Sequence, residues 1–250
     1  LSGRREDLSG RARGETLFET RGSWSLGLDG ERLSFSVFAP HLGPAPFVSA
    51  RIDRGWSRGE LAVNEAYFPE GTAVEPLSFP LDEVLYMHLL ARGRGLLVHA
   101  CGLVVDGRGL LFVGHSGDGK STTARLFEAR GGVRILSDDR IVLRRDRDGF
   151  RMFGTPWHGE GLHADPGSAP LAGVFVLEKA AATNLREMRA AEAAAALLAR
   201  AFVPFHAAAS LDETLELLDE LVACVPCRVL RFRPDETATD LVKRWLGEQS

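Results

Sequence analysis

In the stretch Gly114-His115-Ser116-Gly117-Asp118-Gly119-Lys120-Ser121-Thr122 the first eight residues satisfy the pattern G-x-x-x-x-G-K-[ST] without a mismatch. Glycines at 114, 117 and 119 let successive backbone N–H groups turn inward with no Cβ in the way, which makes a concave nest for an anion. In such a nest Lys120 reaches the β- and γ-phosphates of a nucleotide, and the Ser121 hydroxyl helps to hold Mg²⁺. The flanks agree with this. Gly109-Leu110-Leu111-Phe112-Val113 is an apolar run suited to a buried strand and Ser121 to Arg130 reads as a helix, so the helix N-terminus is aimed at the anion. Lysine occurs only at 120, 179 and 243. Arginine is the default cation here, and a lysine stands where a compact point charge must fit between phosphates.

The rest of the composition bounds the class. With 250 residues, 45% of them hydrophobic, the chain can bury a full core. A net charge of −4 argues against nucleic acid or an anionic membrane as the main partner, because both need a dominant basic surface. No run approaches the ~18 apolar residues of a transmembrane helix. No hydrophobic segment of signal-peptide type stands near the start, so a cytoplasmic location is expected. Arg4, Arg5, Arg11 and Arg13 are interleaved with Glu6, Asp7 and Glu15, and residues 1–15 read as a polar tail. Cys101, Cys224 and Cys227 are too few for a disulfide framework. Cys224-Val225-Pro226-Cys227 has redox spacing, but no second Cys or His pair completes a zinc site, which favours a structural role.

Residues 16–80 hold short alternating runs such as Arg32 to Phe38, broken by Pro40, Pro44, Pro46, Gly55, Gly59, Pro69 and Gly71. They read as a small β-rich N-terminal lobe in which Trp24 and Trp56 are packing residues. Residues 81–250 read as the nucleotide-binding domain. In it a helix with Leu81, Val84, Leu85, His88 and Leu89 on one face precedes a strand from Leu96 to Val105. Asp106-Gly107-Arg108-Gly109 then turns that strand back on the one before the glycine-rich loop. After the loop helix, Gly131-Gly132 ends the turn and Val133 to Leu136 gives a strand, completing a βαβ-type unit. That strand runs into Ser137-Asp138-Asp139, where open α/β sheets bind their ligands. Neighbouring strand residues point to opposite faces, so one aspartate is expected on a metal and the other toward an acceptor. A hairpin of Ile141 to Arg145 with Phe150 to Phe153 leads into Gly154-Thr155-Pro156-Trp157-His158-Gly159-Glu160-Gly161, a loop suited to an active-site lid. Beyond it the pattern reads as a strand over 171–177, a helix over 185–201, a helix over 211–222, a strand over 228–232 and a last helix over 238–246.

From His99 to Asp139 the chain resembles the kinase domain of HPr kinase/phosphorylase, which shares a nucleotide core with phosphoenolpyruvate carboxykinase. Three stretches carry the resemblance in order: Val98-His99-Ala100, the glycine-rich loop with its Ser-Gly-x-Gly-Lys-Ser core, and Leu136-Ser137-Asp138-Asp139. The resemblance implies an α/β fold with a P-loop core of this type, a small β-rich N-terminal lobe and C-terminal helices. It places His99 beside the transferred phosphate, gives Lys120 and Ser121 their phosphate and Mg²⁺ roles, and makes Asp138 and Asp139 the source of the base, with Asp139 preferred. Where the family carries Glu-x-Arg-Gly-x-Gly, this chain has Trp157 to His163, and Glu160 takes the place of the metal-binding glutamate. The ring assembly common in the family leaves a homo-oligomer open.

The function expected from these readings is an ATP- and Mg²⁺-dependent kinase that phosphorylates a hydroxyl, a serine of a small protein or peptide. A nucleotide-responsive binding protein without phosphotransfer and a small-molecule kinase are the alternatives.

Overall fold

The computed structural model describes all residues except 1, 10–14, 21, 69, 76, 78 and 250, so Arg11, Arg13 and Pro69 lie outside the described residues. The chain is a mixed α/β protein with two sheets and five helices among the described residues. It divides into two units, Leu1–Leu89 and Leu90–Ser250.

The first unit holds β1 (Ser2–Glu6), β2 (Glu15–Glu19), β3 (Trp24–Asp29), β4 (Arg32–Val37), β5 (Val48–Asp53) and β6 (Gly59–Asn64), followed by α1 (Leu81–Leu90). Strands β2 to β6 form an antiparallel meander, and β1 joins its far edge in parallel with β6. The polar tail expected over 1–15 therefore begins as a strand, because a sheet edge supplies the hydrogen bonds that its side chains do not. Leu26, Phe35, Val48, Ala50, Ile52 and Leu61 make the core together with Leu81 and Val84 of α1, the helix expected to open the second domain. Trp56 stacks on His88 with ring centroids 3.9 Å apart, and Trp24 packs on Phe35 at 5.2 Å.

In the second unit β7 (Leu96–Val105), β8 (Arg108–Val113), α2 (Lys120–Arg130), β9 (Val133–Ser137), β10 (Arg140–Asp146) and β11 (Gly149–Phe153) come first. Next are β12 (Ser168–Lys179), β13 (Asn184–Glu187), α3 (Ala190–Leu198), β14 (Ala201–Phe202), α4 (Ala208–Cys224), β15 (Cys227–Phe232) and α5 (Glu236–Glu248). The main strand order is β11-β10-β7-β8-β12-β15-β13. Asp106 and Gly107, at φ 50° and 76°, make the tight turn between β7 and β8. On one face Val98, Ala100, Leu111 and Val174 meet Ala193 and Leu197 of α3 and Leu217 and Leu221 of α4. On the other, Cys101, Leu103, Phe112 and Phe175 meet Ala124 and Phe127 of α2 and Val242 and Trp245 of α5. Helices thus cover both faces, the arrangement that lets nearly continuous apolar strands bury both sides.

Strand β7 is the hinge of the topology. One edge pairs with β8 and then β14, and the other with β9 and then β10. Strands β8 and β9 are both antiparallel to β7, so the crossover through α2 spans one intervening strand. Strand β11 also pairs with β12, which closes β11-β10-β7-β8-β12 into a ring. The ring is filled by Ile141 and Met152, and a Cβ at Gly102 would lie 2.5 Å from Ile141 Cδ1 and one at Gly109 2.9 Å from Met152 Cε.

The helix expected over 185–201 is instead a strand, a helix and a short strand. Asn184–Glu187 pairs antiparallel with β15 and sends Leu185 against the α5-side core, so edge pairing overrides the helix propensity of the alanines that follow. Helix α3 starts only after Arg189.

Candidate functional site

The glycine-rich segment turns from the buried end of β8 into α2. Gly117 and Gly119 have φ of 86° and 112°, the left-handed region that a side chain resists. At Gly119 a Cβ would also stand 2.7 Å from the Phe232 ring, so only glycine fits. Asp118 folds its carboxylate back onto the His115 N–H and closes the turn from inside. Gly114 makes room for it, since a Cβ there would lie 2.9 Å from Asp118 Cβ. The first N–H groups of α2 have no carbonyl one turn earlier to bond and remain donors at the helix N-terminus.

Lys120 is buried at 7% exposure, and its Nζ donates to the Gly114 carbonyl at 2.9 Å and the His115 carbonyl at 3.1 Å. Burial lowers its pKa, while the negative charges of Asp118 and Asp139 oppose that shift.

Asp138 and Asp139 sit in the bend between β9 and β10. The backbone has left the strand at this point, and both side chains reach the same cleft. Asp138 is 3% exposed, and its two oxygens accept the N–H of Gly159 at 2.8 Å and of Gly161 at 2.7 Å. Any Cβ on either glycine would crowd that carboxylate at 2.8–2.9 Å. Ser137 Oγ donates to the Trp157 carbonyl at 2.8 Å, a further tie on the same loop. Asp139 lies between His99 Nδ1 at 3.1 Å and Arg140 Nη1 at 3.1 Å. The His99 hydrogen bond, then the Arg140 charge, hold its carboxyl below the usual range against the opposing effect of burial. His99 and Arg140 face each other across β7 and β10, which sets this geometry.

His99, Lys120, Ser121, Asp138, Asp139 and Glu160 all line one cleft of about 390 Å³. Ser116, Gly117, Gly119 and Thr122 line it too. Ser121, Asp138 and Glu160 share a smaller hollow of about 80 Å³ beside it. Gly114 and His115 border a neighbouring cleft instead, and Asp118 is spent on the loop itself. Sequence reasoning missed Arg125, which lines the cleft one helical turn after Ser121; that spacing is a readable signal. It also missed Arg140, whose guanidinium lies 5.2 Å from the ring centroids of both Trp157 and Phe202.

Ser121, Asp138 and Glu160 bring oxygen donors to one hollow that Arg125 and His163 also line; Mg²⁺ binds through one or two such carboxylates while keeping waters and phosphates. Among the described residues no group of three or more His, Cys, Asp or Glu side chains is arranged to hold a metal unaided. No helix among them is long and apolar enough to cross a membrane.

A two-sheet α/β chain with a glycine-rich turn at a helix N-terminus facing paired acids is the class defined so far. Residues 81–223 match the family model described as SynChlorMet cassette protein ScmC, and the chain belongs to that family. No curated protein matches it. A solved structure, the Hpr(Ser) kinase/phosphatase from Coxiella burnetii, is similar at 15% identity and a TM-score of 0.35, over 62% of this chain and 99% of its own.

Proposed function

We propose that the second unit is a nucleotide-dependent phosphotransferase that moves the γ-phosphoryl group of ATP to a hydroxyl, a serine of a protein or peptide. The reading is carried by one observation: Lys120, Ser121, Asp138, Asp139, His99 and Glu160 converge on a single cleft at the N-terminus of α2. The main-chain donors of the loop and the Lys120 ammonium take the phosphate oxygens, since a helix N-terminus beside a glycine nest favours anions. Ser121, Asp138 and Glu160 are the residues that would hold Mg²⁺. When bound, the ion neutralises charge on the phosphates.

Asp139 orients the acceptor. Its lowered pKa keeps it ionised, so it accepts the hydroxyl proton as a hydrogen bond from the start and takes it over as the new O–P bond forms and the bond to the nucleotide breaks. His99 and Arg140 fix that carboxylate from either side. The loop around Glu160, tied to Asp138 by two amides, lines the same cleft.

The test is incubation with γ-labelled ATP, Mg²⁺ and an extract of the source cell. One labelled acceptor is expected, lost with Lys120→Ala. Asp139→Asn is expected to bind ATP without labelling anything. A wild type that binds ATP and labels nothing would instead favour a nucleotide-responsive binding protein.

A further inference from the structure

A second cleft, of about 330 Å³, lies beside the first and also reaches His99. It opens where β8 leaves the sheet for the glycine-rich loop and β14 takes its place along β7. The two clefts differ in charge. The first is lined by Asp138, Asp139 and Glu160 together with Lys120 and Arg125, whereas the second has no carboxylate among the described residues of its lining and contains Arg200.

Arg200 is half-buried. Its Nη1 donates to the Ala196 carbonyl at 3.0 Å near the end of α3, and its Nε is shielded from solvent with no hydrogen-bond partner. Among the described residues no carboxylate lies within ion-pair distance of it. Some other arginines in this unit do have one, among them Arg140 with Asp139 at 3.1 Å, Arg186 with Glu192 at 2.6 Å and Arg228 with Glu187 at 2.9 Å. A half-buried guanidinium with a shielded, unpartnered Nε and no carboxylate beside it makes the cleft attractive to an anion.

The backbone supplies the other half of the argument. Ala201 stands opposite Val98, and the His99 N–H donates to the Arg200 carbonyl at 2.8 Å. Antiparallel alternation then turns the N–H and C=O of Ala201 away from β7, on the outer edge of β14, and Ala201 borders the cleft. A strand edge whose N–H and C=O point away from the neighbouring strand is what an extended peptide pairs with. Phe202 adds an apolar wall.

We propose that this second cleft seats the phosphate acceptor as an extended peptide segment, paired along Ala201, whose acidic side chain meets Arg200 and whose hydroxyl residue reaches His99 and Asp139. The proposal rests on the phosphotransfer reading above. The experiment is fluorescence polarisation with dye-labelled synthetic peptides holding one serine flanked by Glu, by Gln or by Lys, in the presence of a non-hydrolysable ATP analogue. Affinity for the analogue alone is measured separately.

The Glu peptide is expected to bind at least about tenfold more tightly than the Gln peptide. Arg200→Gln should erase that preference and Arg200→Lys should keep part of it, while affinity for the analogue changes far less, since Arg200 is the smallest of the influences Lys120 feels. The lysine variant also retains a helix-capping cation, which guards against misfolding. Equal binding of the three peptides to the wild type overturns the proposal. So does a loss of analogue affinity in Arg200→Gln with the peptide preference intact, since Arg200 would then serve the nucleotide. An Arg200-dependent Glu preference without any binding of the analogue supports the peptide site and sinks the phosphotransfer reading.

Discussion

Asp138 holds the loop at Gly161 by accepting its N–H on Oδ2 at 2.7 Å, while Oδ1 does the same for Gly159 at 2.8 Å. Glu160, between the two anchored amides, is thereby set into the hollow that Asp138 and Ser121 share. Asp138→Ala removes the charged acceptor of both amides, and hydrogen bonds to charged groups contribute about 1.5–3 kcal/mol. The urea midpoint should fall accordingly, and the fluorescence of Trp157 should change as its loop is released. An unchanged midpoint would show that the loop stands without this carboxylate.

The glycine-rich turn was legible because its chemistry is local. Positive φ at Gly117 and Gly119, a lysine at the first turn of α2 and an apolar strand before it are all properties of adjacent residues. The pairing of His99 with Asp139 was not, since it depends on β7 and β10 lying in the register that places His99 opposite Arg140. Only the family resemblance hinted at it. The same reasoning accounts for residues 184–187, where nothing in the local sequence announces that β15 offers an edge. Arg200 lay beyond reach for a similar reason: its position depends on a two-residue strand that exists only by pairing with β7.

Replacing Lys120 by alanine removes the one ammonium among the described residues of the cleft lining, together with its hydrogen bonds to the Gly114 and His115 carbonyls. Hydrogen bonds to charged groups contribute about 1.5–3 kcal/mol, so ATP affinity should fall by about tenfold to a hundredfold in calorimetric titration. Circular dichroism should stay that of the wild type, because no core contact is lost. Undiminished affinity would count heavily against the phosphate assignment.

The lowered pKa of Asp139 has a consequence for acid stability. A carboxylate whose folded pKa lies below its unfolded one contributes stability that is fully present above the unfolded value, about 3.9 for aspartate. That contribution is lost as pH falls through the lower folded value. His99 and then Arg140 are its source, with burial opposing. Asp139→Asn should therefore be less stable than the wild type at pH 6, and the gap should close as the pH is taken down through 4 toward 3. Urea unfolding at each pH measures it. A gap of constant size across that range would mean that the two neighbours contribute nothing through the charge of Asp139.

The Cys224-x-x-Cys227 spacing makes a sharper claim about what the cysteines do not do. Cys224 is exposed at the end of α4, whereas Cys227 is buried at the start of β15 with its Sγ on the Val225 carbonyl at 3.3 Å. Burial pushes the Cys227 thiol up to about 11, and burial together with the negative charge of Asp138 pushes Cys101 up as well. The thiolate is the reactive form, so at pH 8 a thiol reagent should titrate one equivalent quickly, at Cys224, and the remaining two only in denaturant. Mass mapping after brief labelling checks the site. A second fast equivalent at Cys227, or a Cys224–Cys227 disulfide formed under mild oxidant, would mean that the pair is a redox couple and that β15 opens far more readily than its packing between β12 and β13 implies.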